Sequence, residues 1–303
     1  MNSLRISIVQ YLNTAPLVRG FTHGPLRGKY QLSFTVPSQC AEALGARDVD
    51  IAIIPTIELQ RIDGLVALPN LSIASKKSVR SLLLVSKKPI HEVRRIALDR
   101  SSRSTQALVR ILCAKRWHIS SEFVEAEPNL PAMLQQADAA LLIGDPALRL
   151  SINSERHAQR NPEGELLFPG EVAGIPTSSP LFLYDIVEKW RALTSLPAVL
   201  ALWAARHAAV TPEVVRDFQE SLAFGMQHVQ EISSEASREL DLPAQKISRY
   251  LTENIDYTLD AENLRGLQRY YDLAAELGLI KEAKPLAIAS FESARELEAA
   301  RRT

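Results

Sequence analysis

The sequence predicts an α/β protein of two lobes, each a mainly parallel sheet flanked by helices, with a helical C-terminal region. Three observations predict it. Short apolar runs of strand length alternate with helically patterned segments through the first two thirds of the chain. Two similar apolar strands, SLLLVSKKPI and PAVLALWAARHAAV, bracket about a hundred residues with a βα pattern of their own. From Thr211 onward only helical patterning continues. Bracketing strands of this kind can carry the chain out of one lobe and back, which sets one lobe at residues 1–88 plus 198–303 and the other at 89–197. A ligand cleft then lies between them, where strand ends and helix starts converge.

Each element has a local reason. LRISIV, QLSFTV and VDIAIIP are rich in the β-branched residues that suit a pleated, buried surface, as are SLLLVS, RIALD, SEFVEA, DAALLIG and AVLALWAA later on. Between them PSQCAEALGAR, RSTQALVRILCAKR and NLPAMLQQA carry helical periodicity. In the C-terminal region Thr211 is placed as an N-cap, with Pro212 at the first helical position and Glu213 in the first turn, where the helix dipole favours an acid. The charged stretch Phe291 to Thr303 reads as a solvated terminal helix.

Composition limits function. The chain of 303 residues has 35 basic and 35 acidic side chains, so no global field favours nucleic acid or an anionic membrane surface, and a charged ligand must be recognised locally. Cys40 and Cys113 fit no metal or redox spacing and read as free, buried thiols. The six histidines form no H-E-x-x-H or comparable ligand set, and no G-x-G-x-x-G or Walker sequence supports nucleotide chemistry. With no secretory start and no apolar run of roughly 18 residues, a soluble cytoplasmic protein is expected.

Five ordered stretches, QYLNTAPL, VPSQCAEALGARDVDIAIIPTIEL, ALDRSSRSTQALVRILC, ADAALLIGDPAL and YDIVEKWRALTSLPAVLALWAA, resemble the chorismate dehydratases of the futalosine route to menaquinone. The resemblance covers roughly residues 4 to 207; the helical end agrees only in character. It implies a fold like that of type II periplasmic binding proteins, used as a cytoplasmic lyase that converts chorismate to 3-[(1-carboxyvinyl)oxy]benzoate and water. No metal or organic cofactor is implied, and the partners are a dicarboxylate substrate and a possible downstream pathway enzyme.

The resemblance changes how single residues are read. Asn13, after a strand and before Thr14-Ala15-Pro16, reads locally as a turn or cap residue; the family implies a catalytic role. Ser81 is locally a strand-end serine, and by the resemblance the second catalytic residue. Tyr11 beside Asn13 is either packing or cleft wall. Ser102, Ser104 and Thr105 stand at a helix start, where unpaired N–H groups and the dipole make an anion site as readily as an ordinary cap, and Arg103 adds a contact or faces solvent. In LLIGDPAL, Gly144 permits close backbone approach to a substrate, whereas Asp145 is expected to cap the following helix. Thr56 could bind a carboxylate or cap; Glu58 would repel a dianion, so a structural role is expected.

Three positions depart from the family pattern: Val187, Ser195 and Ala198 stand where glycine, glycine and phenylalanine are commoner. Two rivals share the fold. The related 1,4-dihydroxy-6-naphthoate synthase opens with a turn like SPCPNDT, which QYLNTAPL does not match. A non-enzymatic solute-binding or sensory protein would bind without turnover.

Overall fold

A computed structural model describes residues 3–177 and 179–290 of the chain. Four strands open it, β1 (Arg5–Val9), β2 (Gln31–Thr35), β3 (Ile51–Pro55) and β4 (Leu65–Ser75), with helices α1 (Ala15–Thr22) and α2 (Pro37–Ala46) between the first three. The middle of the chain then lays down β5 (Leu82–Ser86), β6 (Arg95–Asp99), α3 (Arg103–Leu112), β7 (Glu122–Ala126), α4 (Leu130–Gln136), β8 (Ala139–Ile143) and α5 (Gly144–Ser154). It ends with β9 (Gln159–Arg160), β10 (Leu166–Phe168), β11 (Leu181–Asp185) and α6 (Ile186–Thr194). A long strand, β12 (Ala198–Arg206), returns to the first sheet and leads into α7 (Pro212–Gln227), α8 (Val229–Leu240), α9 (Ala244–Arg249) and α10 (Ala261–Glu276).

Two sheets result. The first runs β2-β1-β3-β12-β4 and the second β7-β6-β8-β5-β11-β10-β9. Every residue of β3, β5 and β8 is buried, as expected of central strands covered on both faces. All eight strands expected from the apolar runs are present, whereas β4 and β9 to β11 were missed. β4 hides behind Pro69-Asn70, where Asn70 takes a left-handed φ of 61° and the pairing with β12 shifts register.

The expectation of mainly parallel sheets needs correction, because both sheets are mixed. β1 pairs in parallel with β2 and β3, and β6 with β7 and β8, but β12 lies antiparallel to β3 and β4, and β5 antiparallel to β8 and β11. The physical reason is the route. β5 and β12 enter from the other sheet rather than through a helical crossover, so nothing obliges them to run with their neighbours. The lobe boundary at residue 88 also shifts: β5 pairs at the centre of the second sheet, so the chain crosses before Leu82, and it crosses back at 195–197.

Local capping follows the sequence closely. Thr211 Oγ1 accepts from the Val214 N–H at 3.2 Å, with Pro212 opening α7. Asp185 caps α6 through the N–H groups of Val187 and Glu188, both at 3.0 Å. α6 stops at Ser195 in the left-handed region, φ 62°, a conformation that favours glycine and a strain this chain tolerates. Cys40 and Cys113 are buried free thiols, as expected. The predicted helix from Phe291 lies outside the described residues. Among the described residues no helix is long and apolar enough to cross a membrane.

Candidate active site

Four helical starts converge between the sheets. They belong to the turn Leu12–Thr14 that leads into α1, and to α2, α3 and α5. A small cavity of about 50 Å³ lies where they meet, lined by Tyr11, Asn13, Pro37, Ser102, Thr105 and Gly144 among polar and turn residues, and by Leu82, Ile143 and Leu200 among apolar ones. No charged side chain lines it. Four positive dipole ends and a set of neutral donors therefore face a common space, an arrangement that attracts an anion without a cationic side chain. A larger void of about 400 Å³ is lined by Arg80, Glu155, Asp185 and Lys189 and shares no lining residue with this cavity.

The cavity is narrow because the lobes are clasped. Leu12 N–H donates across to Asp145 Oδ1 at 3.0 Å, and Ser38 N–H to the Ser101 carbonyl at 3.0 Å. Tyr11 O–H reaches Ser101 Oγ at 3.3 Å; Ser101 Oγ in turn donates to buried Asp99 at 2.6 Å. Burial pushes the Tyr11 phenol up to about 12 and raises Asp99 above the usual carboxylate range. Asp145 is pushed up to about 6 by burial, against the N–H of Leu12 and the charge of Arg149.

Of the residues singled out from the sequence, Tyr11, Asn13, Ser102, Thr105 and Gly144 line this cavity. Asn13 is 8% exposed, and its Oδ1 is buried with no hydrogen-bond partner, an acceptor left open in a polar wall. Ser102 occupies the N-cap position of α3 but does not cap it, because its hydroxyl pairs with Thr105 Oγ1 at 2.9 Å. Gly144 has φ 65°, and a Cβ there would stand 2.7 Å from the Tyr11 ring, so both the backbone and the close packing demand glycine.

Ser81 is fully buried just behind the wall. Its Oγ accepts from the Tyr250 hydroxyl at 2.8 Å, and its carbonyl from the Gly144 N–H at 2.9 Å. Burial pushes the Tyr250 phenol well above its ordinary range, opposed by the hydrogen bond to Ser81 and by the nearby Asn13 side chain.

Thr56 and Ser104 do not line the cavity. Thr56 Oγ1 donates to the Val199 carbonyl at 3.1 Å and lies 3.3 Å from Ser104 Oγ, which also accepts from the Ile57 N–H at 3.0 Å. Thr56 is engaged within the first sheet's lobe, and Ser104 ties α3 to that lobe, so both hydroxyls are occupied away from the cavity. Asp145 does not cap α5 as expected; its carboxylate serves the opposite lobe instead. Glu58 is structural as expected, paired with Arg61 at 3.0 Å and Arg103 at 3.3 Å. Sequence reasoning missed Tyr250 and the Asp99–Ser101 pair. A tyrosine in SRYLTEN reads as helix core, and only its 169-residue separation from Ser81, closed in space, reveals a polar role.

A family model described as menaquinone biosynthesis matches residues 4–276. A chorismate dehydratase of Thermus thermophilus is 27% identical over 278 residues, covering 90% of this chain and 95% of that protein. Among solved structures, a protein from Archaeoglobus fulgidus superposes with a TM-score of 0.68 at 17% identity, covering 91% of this chain and 98% of its own. The periplasmic aliphatic sulphonate-binding protein of Escherichia coli superposes with a TM-score of 0.61 at 16% identity, covering 96% and 94%. These likenesses show a periplasmic-binding-protein-like fold.

Proposed function

The chain belongs to the menaquinone-biosynthesis family, and from that premise we propose that it is a chorismate dehydratase, a hydro-lyase that removes water from chorismate to give 3-[(1-carboxyvinyl)oxy]benzoate. The observation that carries this reading is the uncharged cavity at the meeting of four helical starts, which suits a dicarboxylate held by dipoles and neutral donors. The route is the futalosine branch, in the cytoplasm, with the product handed to a following enzyme.

The chemistry asks little of the protein. Loss of the C3 proton and the C4 hydroxyl turns the ring aromatic, which supplies a large driving force and leaves orientation and charge stabilisation as the enzyme's task. The substrate's enolpyruvyl carboxylate takes the C3 proton and passes it to the departing C4 hydroxyl, so water leaves and the carboxylate is restored. Asn13 and Ser81 hold that carboxylate and the leaving group. Ser102 and Thr105 at the start of α3 receive the ring carboxylate, and Tyr11 and Gly144 form the wall against which the ring lies. Thr56 and Ser104 act as a clasp between lobes. A void of about 50 Å³ is smaller than a ring bearing two carboxylates, so substrate enters as the lobes part and is shielded from water as they close.

Incubation of the purified protein with chorismate, followed by mass spectrometry, tests the reading. An aromatic product lighter than chorismate by one water is expected, with turnover falling by about a hundredfold or more in Asn13→Ala and in Ser81→Ala. Chorismate binding without product identifies a sensor instead. Near-normal turnover in both variants removes Asn13 and Ser81 from the mechanism.

A further inference from the structure

We propose that Tyr250, from the C-terminal helical region, is a positioning residue for the dehydration: its hydroxyl holds Ser81 in the orientation that presents it to substrate. The inference deepens the chorismate dehydratase reading and rests on it.

Hydrogen-bond polarity carries the argument. A serine hydroxyl has one proton to give and two lone pairs to receive with. Tyr250 O–H donates to Ser81 Oγ at 2.8 Å, so one lone pair is filled and the serine's own proton is left to point elsewhere. Its sole other hydrogen bond among the described residues is a long one, 3.4 Å to the Val79 carbonyl two residues back, weak enough to give way to a better acceptor that reaches Ser81 as the lobes part. Asn13 Oδ1, in the cavity wall, is buried and unpartnered. Serine is left with a donor to offer and asparagine with an acceptor, the pair needed to hold a carboxylate and a hydroxyl side by side. Removing the phenol oxygen frees the serine hydroxyl to rotate away from that arrangement.

Tyr250 is suited to this by rigidity. It is 1% exposed and opens a wide π-helical turn, Tyr250–Asn254, of a kind often found at functional positions. That turn is tied to the strand leading into Ser81. Asn254 Nδ2 donates to the Ser78 carbonyl at 3.0 Å, and Ala74 and Asp256 exchange two backbone bonds at 2.8 Å. The phenol and the serine are therefore held on one frame, and neither can shift without the other. Neither Tyr250 nor Ser81 lines the closed cavity; Ser81 stands directly behind its lining residues Leu82 and Gly144, and Tyr250 acts through Ser81.

Steady-state kinetics on chorismate for the wild type, Tyr250→Phe, Ser81→Ala and the double variant test the proposal, with thermal unfolding as the measure of folding. Tyr250→Phe is expected to lower kcat about tenfold with KM within about twofold, the loss of one oriented hydrogen bond. In the Ser81→Ala background the same change is expected to cost less than about twofold, because its target is already gone. The double variant removes both partners of the bond, so it stays readable should Tyr250→Phe alone leave Ser81 unsatisfied and unfold. A Tyr250→Phe enzyme with wild-type kcat, or losses that multiply in the double variant, overturns the positioning role while the dehydratase reading stands. A wild-type protein that makes no aromatic product overturns that reading, and the proposal with it.

Discussion

Helices α3 and α5 start side by side, at the ends of the parallel neighbours β6 and β8, yet they are put to opposite uses. The α3 start is left open. No side chain caps its first turn; Ser102 and Thr105 bond one another at the cavity wall, and Arg103 turns away to ion pairs with Glu42 and Glu58. The α5 start is tied down at its first N–H and its first carboxylate. Gly144 N–H goes to the Ser81 carbonyl, and the Asp145 carboxylate takes the Leu12 N–H of the opposite lobe. Two strand-to-helix turns with the same local grammar thus divide the work, one free to meet an anion and the other holding the lobes together. The difference lies in what the facing lobe presents, not in the turns.

The strongest test of this division is Gly144→Ala. A side chain there must adopt φ 65° and occupy space 2.7 Å from the Tyr11 ring. Destabilisation of about 2–4 kcal/mol is expected from strain and overpacking together, seen as a fall in chemical-denaturation midpoint, with turnover lost because Tyr11 is displaced. A variant of unchanged stability breaks the claim that this end of the cleft is committed.

Next in size is the paired change Ser102→Ala with Thr105→Val. If the α3 start receives a substrate carboxylate, KM for chorismate rises about tenfold or more while stability moves by less than about 1 kcal/mol, since these hydroxyls bond mainly each other. A change in unfolding midpoint with no change in KM reverses the assignment and makes the open end structural.

The smallest effect separates the two ends by pH. Folded Asp145 titrates at about 6, whereas an unfolded aspartate titrates at about 3.9, so the folded state holds more protons between those values. The contribution of this group to stability therefore falls as pH rises from about 4 to about 6 and stays lost above that window. Asp145→Asn keeps an acceptor for the Leu12 N–H and removes the titration, beside Arg149 and Glu239, whose charges act on this carboxyl. The variant should match the wild type near pH 4 and exceed it by about 1–3 kcal/mol at pH 8. Parallel stability curves for the two proteins across that range would place the carboxylate in solvent and dissolve the contrast.

Five stretches of sequence carried the family, the two-sheet architecture and most of the cavity wall. Strand and helix are dictated over short windows, by β-branched runs, caps such as Thr211, and periodicity, so the strands from β1 to β3 and from β5 to β8 were legible one at a time. Asn13 was singled out by the family resemblance, since locally it reads as a turn or cap residue, while Gly144 and Ser102 stood out as a glycine and a hydroxyl at the starts of helices.

What no window contains is the partner across the cleft. The sense of β5 and β12, the diversion of Asp145 to Leu12, the withdrawal of Thr56 and Ser104 into a clasp, and the arrival of Tyr250 at Ser81 all depend on segments tens to hundreds of residues apart. Hydrogen bonds act over about 3 Å, and which groups come within that reach is settled only when both lobes are packed. Tertiary structure therefore decided the job of each polar side chain, whereas the sequence alone determined that the fold would bring polar side chains to that place.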